Sequence, residues 1–286
     1  MKRIILLLCI CFLTLKSKSQ IVAQDHEGLA TFLNSTLYVP ITGYKEFDEA
    51  LQSAFKKYWK ITPYKMANEA EYSALEKENK KRKGKQSFLF ELSYSSFSIT
   101  RTSYVSTFYQ GTEGYDFYDK TKKFNHAKYR IDYVVKLMND AITLVKNNKL
   151  GPAPGNSTLS SPLRDELCKL FSENAKVIKD KTLILNRDMK FLRTEIYDEK
   201  IFAKYYPYSY KFVSEDEFND ILKGEQKEYV CFIPSYNLDD EVNKISAYEF
   251  VYEPATRSVI YLWFTRGFNK HIKKEDIEQL KKTIGK

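Results

Sequence analysis

Apolar residues return at helical spacing most clearly between Lys45 and Trp59. Phe47, Ala50, Leu51, Ala54, Phe55 and Tyr58 fall there on one face. The stretch before it, Leu37 to Ile41, is short and mostly apolar and reads as a strand. Lys60 to Met66 returns as a second strand. Pro63 marks either its start or a sheet edge, because proline has no N–H to donate. A helix follows from Glu69 to about Asn79. Phe88, Phe90, Leu92 and Tyr94 then alternate, the period of a half-buried strand. Tyr104–Phe108 and Tyr115–Tyr118 read as a hairpin around Gly111 and Gly114. A long helix opening at Asn125 or His126 closes the series. Its stripe is Ile131, Val134, Val135, Met138, Ala141, Ile142 and Val145.

Gly151-Pro152-Ala153-Pro154-Gly155 and the polar residues after it break all periodicity and read as a linker. A helix resumes at Pro162, with Leu163, Leu167, Leu170 and Phe171 on its buried face. The earlier order then returns. Thr182–Leu185 predicts a strand, Glu195–Tyr205 a helix, Tyr208–Val213 a strand and Glu215–Leu222 a helix. Tyr229–Ile233 is almost wholly apolar, as a central strand is. Ala247–Tyr252 and Val259–Phe264 flank a turn at Pro254, and Lys274–Ile284 is the terminal helix.

The return is also literal. Tyr64-Lys65-Met66-Ala67-Asn68-Glu69-Ala70-Glu71-Tyr72 reappears in outline as Tyr210-Lys211-Phe212-Val213-Ser214-Glu215-Asp216-Glu217-Phe218, at an offset of 210 − 64 = 146. The same offset carries Thr36-Leu37 onto Thr182-Leu183. In both copies a strand runs into a helix whose first turn is capped by Asn68 or Ser214. Glu71 and Glu217, three residues on, supply the reciprocal half of a capping box. The capping role accounts for these acids without catalytic carboxylates. The expected fold is therefore α/β (α+β), built of two duplicated β-α-β-α-β-β-β-α units. Each is a mixed sheet with helices packed on one face, opened by a right-handed parallel crossover. The expected divisions are residues 1–19, a signal peptide; 20–149, the first unit; 150–161, the linker; and 162–286, the second unit. In element order alone, each unit resembles the small α/β domains of periplasmic assembly proteins such as the N-terminal domain of TolB.

Charge changes the picture chiefly at the N-terminus. Lys2 and Arg3 precede a short apolar run, Ile4 to Leu15, and Ser17-Lys18-Ser19 offers a small-residue cleavage site before Gln20. An exported protein, periplasmic or extracellular, is expected, with no transmembrane segment after cleavage. The formal net charge of +9 falls to +5 when the four basic residues of the signal are removed (9 − 4). Lys80-Lys81-Arg82-Lys83 with Lys85 reads as a solvated loop. Export removes nucleic acid from the expected partners. The 22 tyrosines and 19 phenylalanines suit extensive sheet.

Candidate chemistry is sparse. Cys168 and Cys231 remain after processing, either bonded or buried as small hydrophobes. His26, His126 and His271 stand far apart, without metal-ligand spacing. Ser53-Ala54-Phe55-Lys56 matches Ser-x-x-Lys but has no companion motif. Asp239-Asp240-Glu241 lacks the glycine and closing glutamate of an EF-hand. Trp59 and Trp263 offer either core packing or a sugar-stacking platform. No catalytic residue, cofactor or metal is expected. The reading is a non-enzymatic protein that binds a macromolecular partner, a protein or a glycan. The alternative is a hydrolase or a glycan-acting or glycan-binding protein with its site in a cleft between the units. The candidate interface is Tyr208, Tyr210 and Phe212, on a strand expected at an exposed sheet edge.

Overall fold

The computed structural model describes residues 26–81, 87–92, 96–101, 104–109, 128, 130–148, 168–188, 198–239, 244–267 and 273–285. Its first half runs α1 (His26–Leu33), β1 (Leu37–Pro40), α2 (Lys45–Tyr58), β2 (Tyr64–Ala67), α3 (Glu69–Lys80), β3 (Phe88–Leu92), β4 (Ser96–Arg101), β5 (Tyr104–Tyr109) and α4 (Ile131–Asn148). After a 3-10 helix (Ala175–Asp180) come β6 (Thr182–Asn186), α5 (Glu199–Tyr205), β7 (Tyr210–Val213), α6 (Glu215–Lys223), β8 (Tyr229–Asp239), β9 (Lys244–Glu253), β10 (Ser258–Gly267) and α7 (Lys274–Ile284).

The strands form two five-stranded mixed sheets, ordered β2-β1-β3-β4-β5 and β10-β9-β8-β6-β7. In the first, β1 pairs parallel with β2 and β3, and β3-β4-β5 continue antiparallel. In the second, β6 pairs parallel with β7 and β8, and β8-β9-β10 continue antiparallel. Leu37 pairs with Tyr64 in one sheet and Leu183 with Tyr210 in the other, the register of the sequence repeat.

Local chemistry places the elements. The turn into α2 uses Gly43 at φ +83°, a conformation that disfavours a β-carbon. Asp48 holds that turn from the helix, accepting the Thr42 and Gly43 amides at 2.9 Å and the Thr42 hydroxyl at 2.7 Å. The expected stripe of α2 is its buried face: Phe47, Leu51, Ala54 and Phe55 are all in the core. Each large apolar side chain so buried contributes about 1.5–3 kcal/mol. Asn68 Oδ1 accepts the Glu71 amide at 2.9 Å, and Ser214 Oγ accepts that of Glu217 at 3.3 Å, so both N-caps form as expected. The reciprocal half of each capping box does not. Glu71 turns back to Lys65 at 2.7 Å, and Glu217 to Lys211 at 2.6 Å, because the preceding strand presents a cation there.

Three further expectations are corrected. The hairpin partner of Tyr104–Tyr109 is Ser96–Arg101, where Phe97 and Ile99 alternate with serine and threonine. Tyr115–Tyr118 lies outside the described residues, as do the proposed linker and residues 189–197. The second strand starts at Tyr64, since Lys60 to Pro63 bend around the end of α2. Helices do not cover only one face of the second sheet. Leu183, Leu185, Val230, Phe232 and Val251 pack toward α5 and α7, while Ile184, Cys231, Ile233, Phe250 and Tyr252 share a core with α6, α2 and α4. β8 tolerates Pro234 because β6 pairs only with its Tyr229–Cys231 portion.

α4 is the layer common to both halves. Ile131, Tyr133, Val134, Val135, Leu137, Met138 and Ile142 are all buried, which leaves little of its circumference polar. Tyr133 meets Tyr252 of β9 at 5.0 Å between ring centroids. Asn139 accepts the Lys60 amide at 2.8 Å.

Candidate functional site

The strand carrying Tyr210 and Phe212 lies at the end of its sheet. Leu183 N–H donates to Ser209 C=O at 2.9 Å and Arg187 N–H to Val213 C=O at 2.7 Å. Backbone groups alternate sides along a strand, so residues 209, 211 and 213 address β6 and Tyr210 points its N–H and C=O outward. The Phe212 carbonyl, on the same outer side, receives Arg187 Nη2 at 3.1 Å, so a guanidinium blunts one end of the edge. Lys211 and Ser209 are exposed, and the Ser209 hydroxyl lies 3.0 Å from that of Thr182.

The corresponding edge of the first sheet is β2. Pro63 C=O accepts the Leu37 amide at 2.9 Å, so the side of Pro63 that lacks an N–H faces β1. The proline therefore does not blunt the outer edge; it only delays the start of pairing.

The side chains behind β7 form an aromatic cluster. Phe202 of α5 lies 4.8 Å from Tyr210 and 5.6 Å from Phe212, at interplanar angles of 62° and 84°. Tyr206 adds Tyr208 at 5.4 Å and 73°. Tyr208 and Tyr210 are half-buried, and Tyr210 Oη donates to Glu199 C=O at 3.0 Å. Phe212 is buried in its own core, so it anchors the strand instead of offering a surface. These rings meet edge to face, a packing geometry rather than a flat sugar platform. Trp59 is likewise a core residue whose indole N–H donates to Thr62 C=O at 3.0 Å, which excludes it from any sugar platform. Trp263 is half-buried on β10.

Between the sheets, where a hydrolase reading needs a cleft, the described residues pack as one apolar core. A polar cluster is set into its rim. Arg130, 1% exposed just ahead of α4, donates to Glu215 Oε1 at 3.0 Å. Asn219 donates to the same oxygen at 3.2 Å and Asn186 donates to Oε2. Asp188 accepts the Glu215 amide at 2.8 Å. Glu215 opens α6, where the helix dipole favours a negative charge, so the anion is held by a cation, two amides and a helix terminus. Arg257, at φ 55° in the β9–β10 turn, caps the other end of α6, donating to the Leu222 and Lys223 carbonyls at 2.7 and 2.6 Å. The sequence singled out neither arginine; 85 residues separate Arg130 from Glu215.

The remaining candidates do not converge. His26 is the first residue of α1; His126 and His271 lie outside the described residues. Ser53 and Lys56 are exposed on α2. Asp239 ends β8, with residues 240–243 outside the described set. Cys168 and Cys231 are not bonded to each other, and burial pushes the Cys231 thiol far up. Among the described residues no three His, Cys, Asp or Glu side chains group as a metal site, and no helix is long and apolar enough to cross a membrane. No protein-family model matches the chain, and neither a curated protein nor a solved structure matches it.

Proposed function

We propose that this is an exported, non-enzymatic protein that binds a macromolecular partner, a protein before a glycan, along the outer edge of β7. The observation that carries the reading is the terminal position of β7, with the Tyr210 N–H and C=O turned outward between exposed Ser209 and Lys211. An edge of this kind accepts a strand from a partner through main-chain hydrogen bonds. Tyr208 and Tyr210 flank it with half-buried rings that a partner can cover at low entropic cost.

The same proposal takes the chain as two copies of one unit, residues 20–149 and 162–286, following a signal removed before Gln20. Matching strand orders, β1–β2 and β6–β7 registers at one offset, equivalent caps and the equivalent pairs Lys65–Glu71 and Lys211–Glu217 support a duplication. The copies have diverged in use: Arg187 at the second edge stands where the first has Ile41.

The test is photocrosslinking in the native host. A photoreactive residue replacing Lys211 is expected to trap a discrete macromolecule that the same probe at exposed Ser53 does not. Tyr210→Pro, which deletes the outward N–H, is expected to abolish the adduct while the fold persists. Mass spectrometry of the trapped chain is expected to show Gln20 as its first residue. Equal labelling from both positions, or an adduct indifferent to Tyr210→Pro, overturns the edge reading.

A further inference from the structure

A second group of polar residues lies buried beneath the C-terminal helix, away from both the β7 edge and the Arg130 cluster. Glu249 sits on β9 opposite Trp263 of β10 and Pro234 of β8. It shares the strand parity of Val251, so it points toward α7 and not toward the interior between the sheets. It is 1% exposed. Asp276, in the first turn of α7 and 3% exposed, stands within hydrogen-bonding reach of it. Asp276 Oδ2 accepts the Lys273 amide at 2.7 Å, which fastens the helix start. Tyr261 of β10, also 1% exposed, completes the group. Among the described residues neither its hydroxyl nor Glu249 Oε2 has a hydrogen-bond partner.

The groups facing this pair from each described element are few. They are Tyr261 from β10, and Lys273 and Glu275 at the start of α7; Cys168, in the helical residues before the 3-10 helix, acts on Tyr261. Lys273 is exposed and its charge acts on Asp276. No cation among them acts on Glu249. Two carboxylates this close and this dry cannot both remain ionised, since each pays desolvation and repels the other.

We infer that Glu249 and Asp276 form a proton-binding site that clasps α7 onto the second sheet, with Glu249 as the protonated donor and Asp276 as the acceptor. Ile277, Leu280 and Ile284 then complete the apolar contact of the helix with the core beneath it. Burial, and after it the Asp276 charge, hold the Glu249 carboxyl well above the usual carboxylate range; burial also raises Asp276. The folded chain therefore keeps a proton that the unfolded chain releases above about pH 4.3. The stabilisation is complete below that pH. It declines as pH rises, by up to about tenfold in the unfolding constant per pH unit, until Glu249 ionises in the folded state as well.

Urea unfolding of the full mature chain at pH values from about 5 to about 9 tests this. The wild-type unfolding constant is expected to rise with pH more steeply than that of Glu249→Gln, which keeps the shape and a donor but binds no proton. Parallel pH profiles overturn the inference. Should Glu249→Gln fail to fold, infrared spectroscopy of the wild type decides: the folded chain at neutral pH is expected to show a protonated-carboxyl stretch that unfolding removes. Absence of that band overturns it. A wild-type midpoint raised by calcium or magnesium, and not so raised in Glu249→Gln, would place a metal ion where we place a proton, and overturns it too.

Discussion

Replacing Arg130 by methionine tests whether the two halves are held by one buried charge. The Arg130 side chain is 1% exposed and that of Glu215 16%. Methionine keeps much of the length and apolar volume, so the packing of α4 is little changed while the guanidinium is lost. What remains is a carboxylate near the interior, held by the amides of Asn186 and Asn219. Removing one member of a buried pair costs about 3–5 kcal/mol. The residual exposure of Glu215 and its two amide donors set the expectation at the low end, about 3 kcal/mol. The double variant Arg130→Met, Glu215→Met is expected to recover much of that loss, because no unpaired charge is left behind. Urea unfolding can be followed through Trp59 in the first half and Trp263 in the second, each measured alone after Trp→Phe substitution of the other. Coincident transitions are expected, with a lowered midpoint in Arg130→Met. A loss under about 1 kcal/mol, the range of exposed ion pairs, would refute the reasoning.

Two further outcomes follow from local geometry. Asn68→Ala and Ser214→Ala should each lower stability by about 1 kcal/mol in thermal melts, since each removes a side-chain acceptor from a helix start; a neutral effect at either would show that water replaces the cap without loss. Reduction should leave the mass of the native chain unchanged, because Cys168 and Cys231 are not bonded to each other, and alkylation should reach half-buried Cys168 well before fully buried Cys231; equal labelling in the folded state would contradict the described burial.

Much of the architecture was legible because periodicity reports burial. Phe47, Leu51 and Phe55 announce α2, and the apolar run from Tyr229 announces a central strand. β4 was missed although Phe97 and Ile99 alternate with Ser96, Ser98 and Thr100, because two apolar positions make a short pattern beside the stronger run from Phe88; its pairing with β5 completes it. Sheathing of the second sheet on both faces was also hidden, although the parity of Ile184 and Cys231 against Leu183 and Val230 carries that information. The edge position of β7 was anticipated. The Arg130–Glu215 pair was not, since a contact across 85 residues leaves no spacing to read. Glu249 did leave a signal: it shares a face of β9 with Ala247 and Val251, two residues to either side.

The burial of α4 on most of its circumference has a consequence for synthesis. The chain is made from its N-terminus, and residues 131–148 emerge before any strand of the second sheet exists. Until Phe250, Tyr252 and Leu262 arrive, the side of the helix that they will cover remains wet and adhesive. A nascent first half is therefore expected to engage a holdase, and a truncated one to aggregate. The order of manufacture thus opposes the order of need: the helix that joins the halves is finished well before the last strands that shelter it.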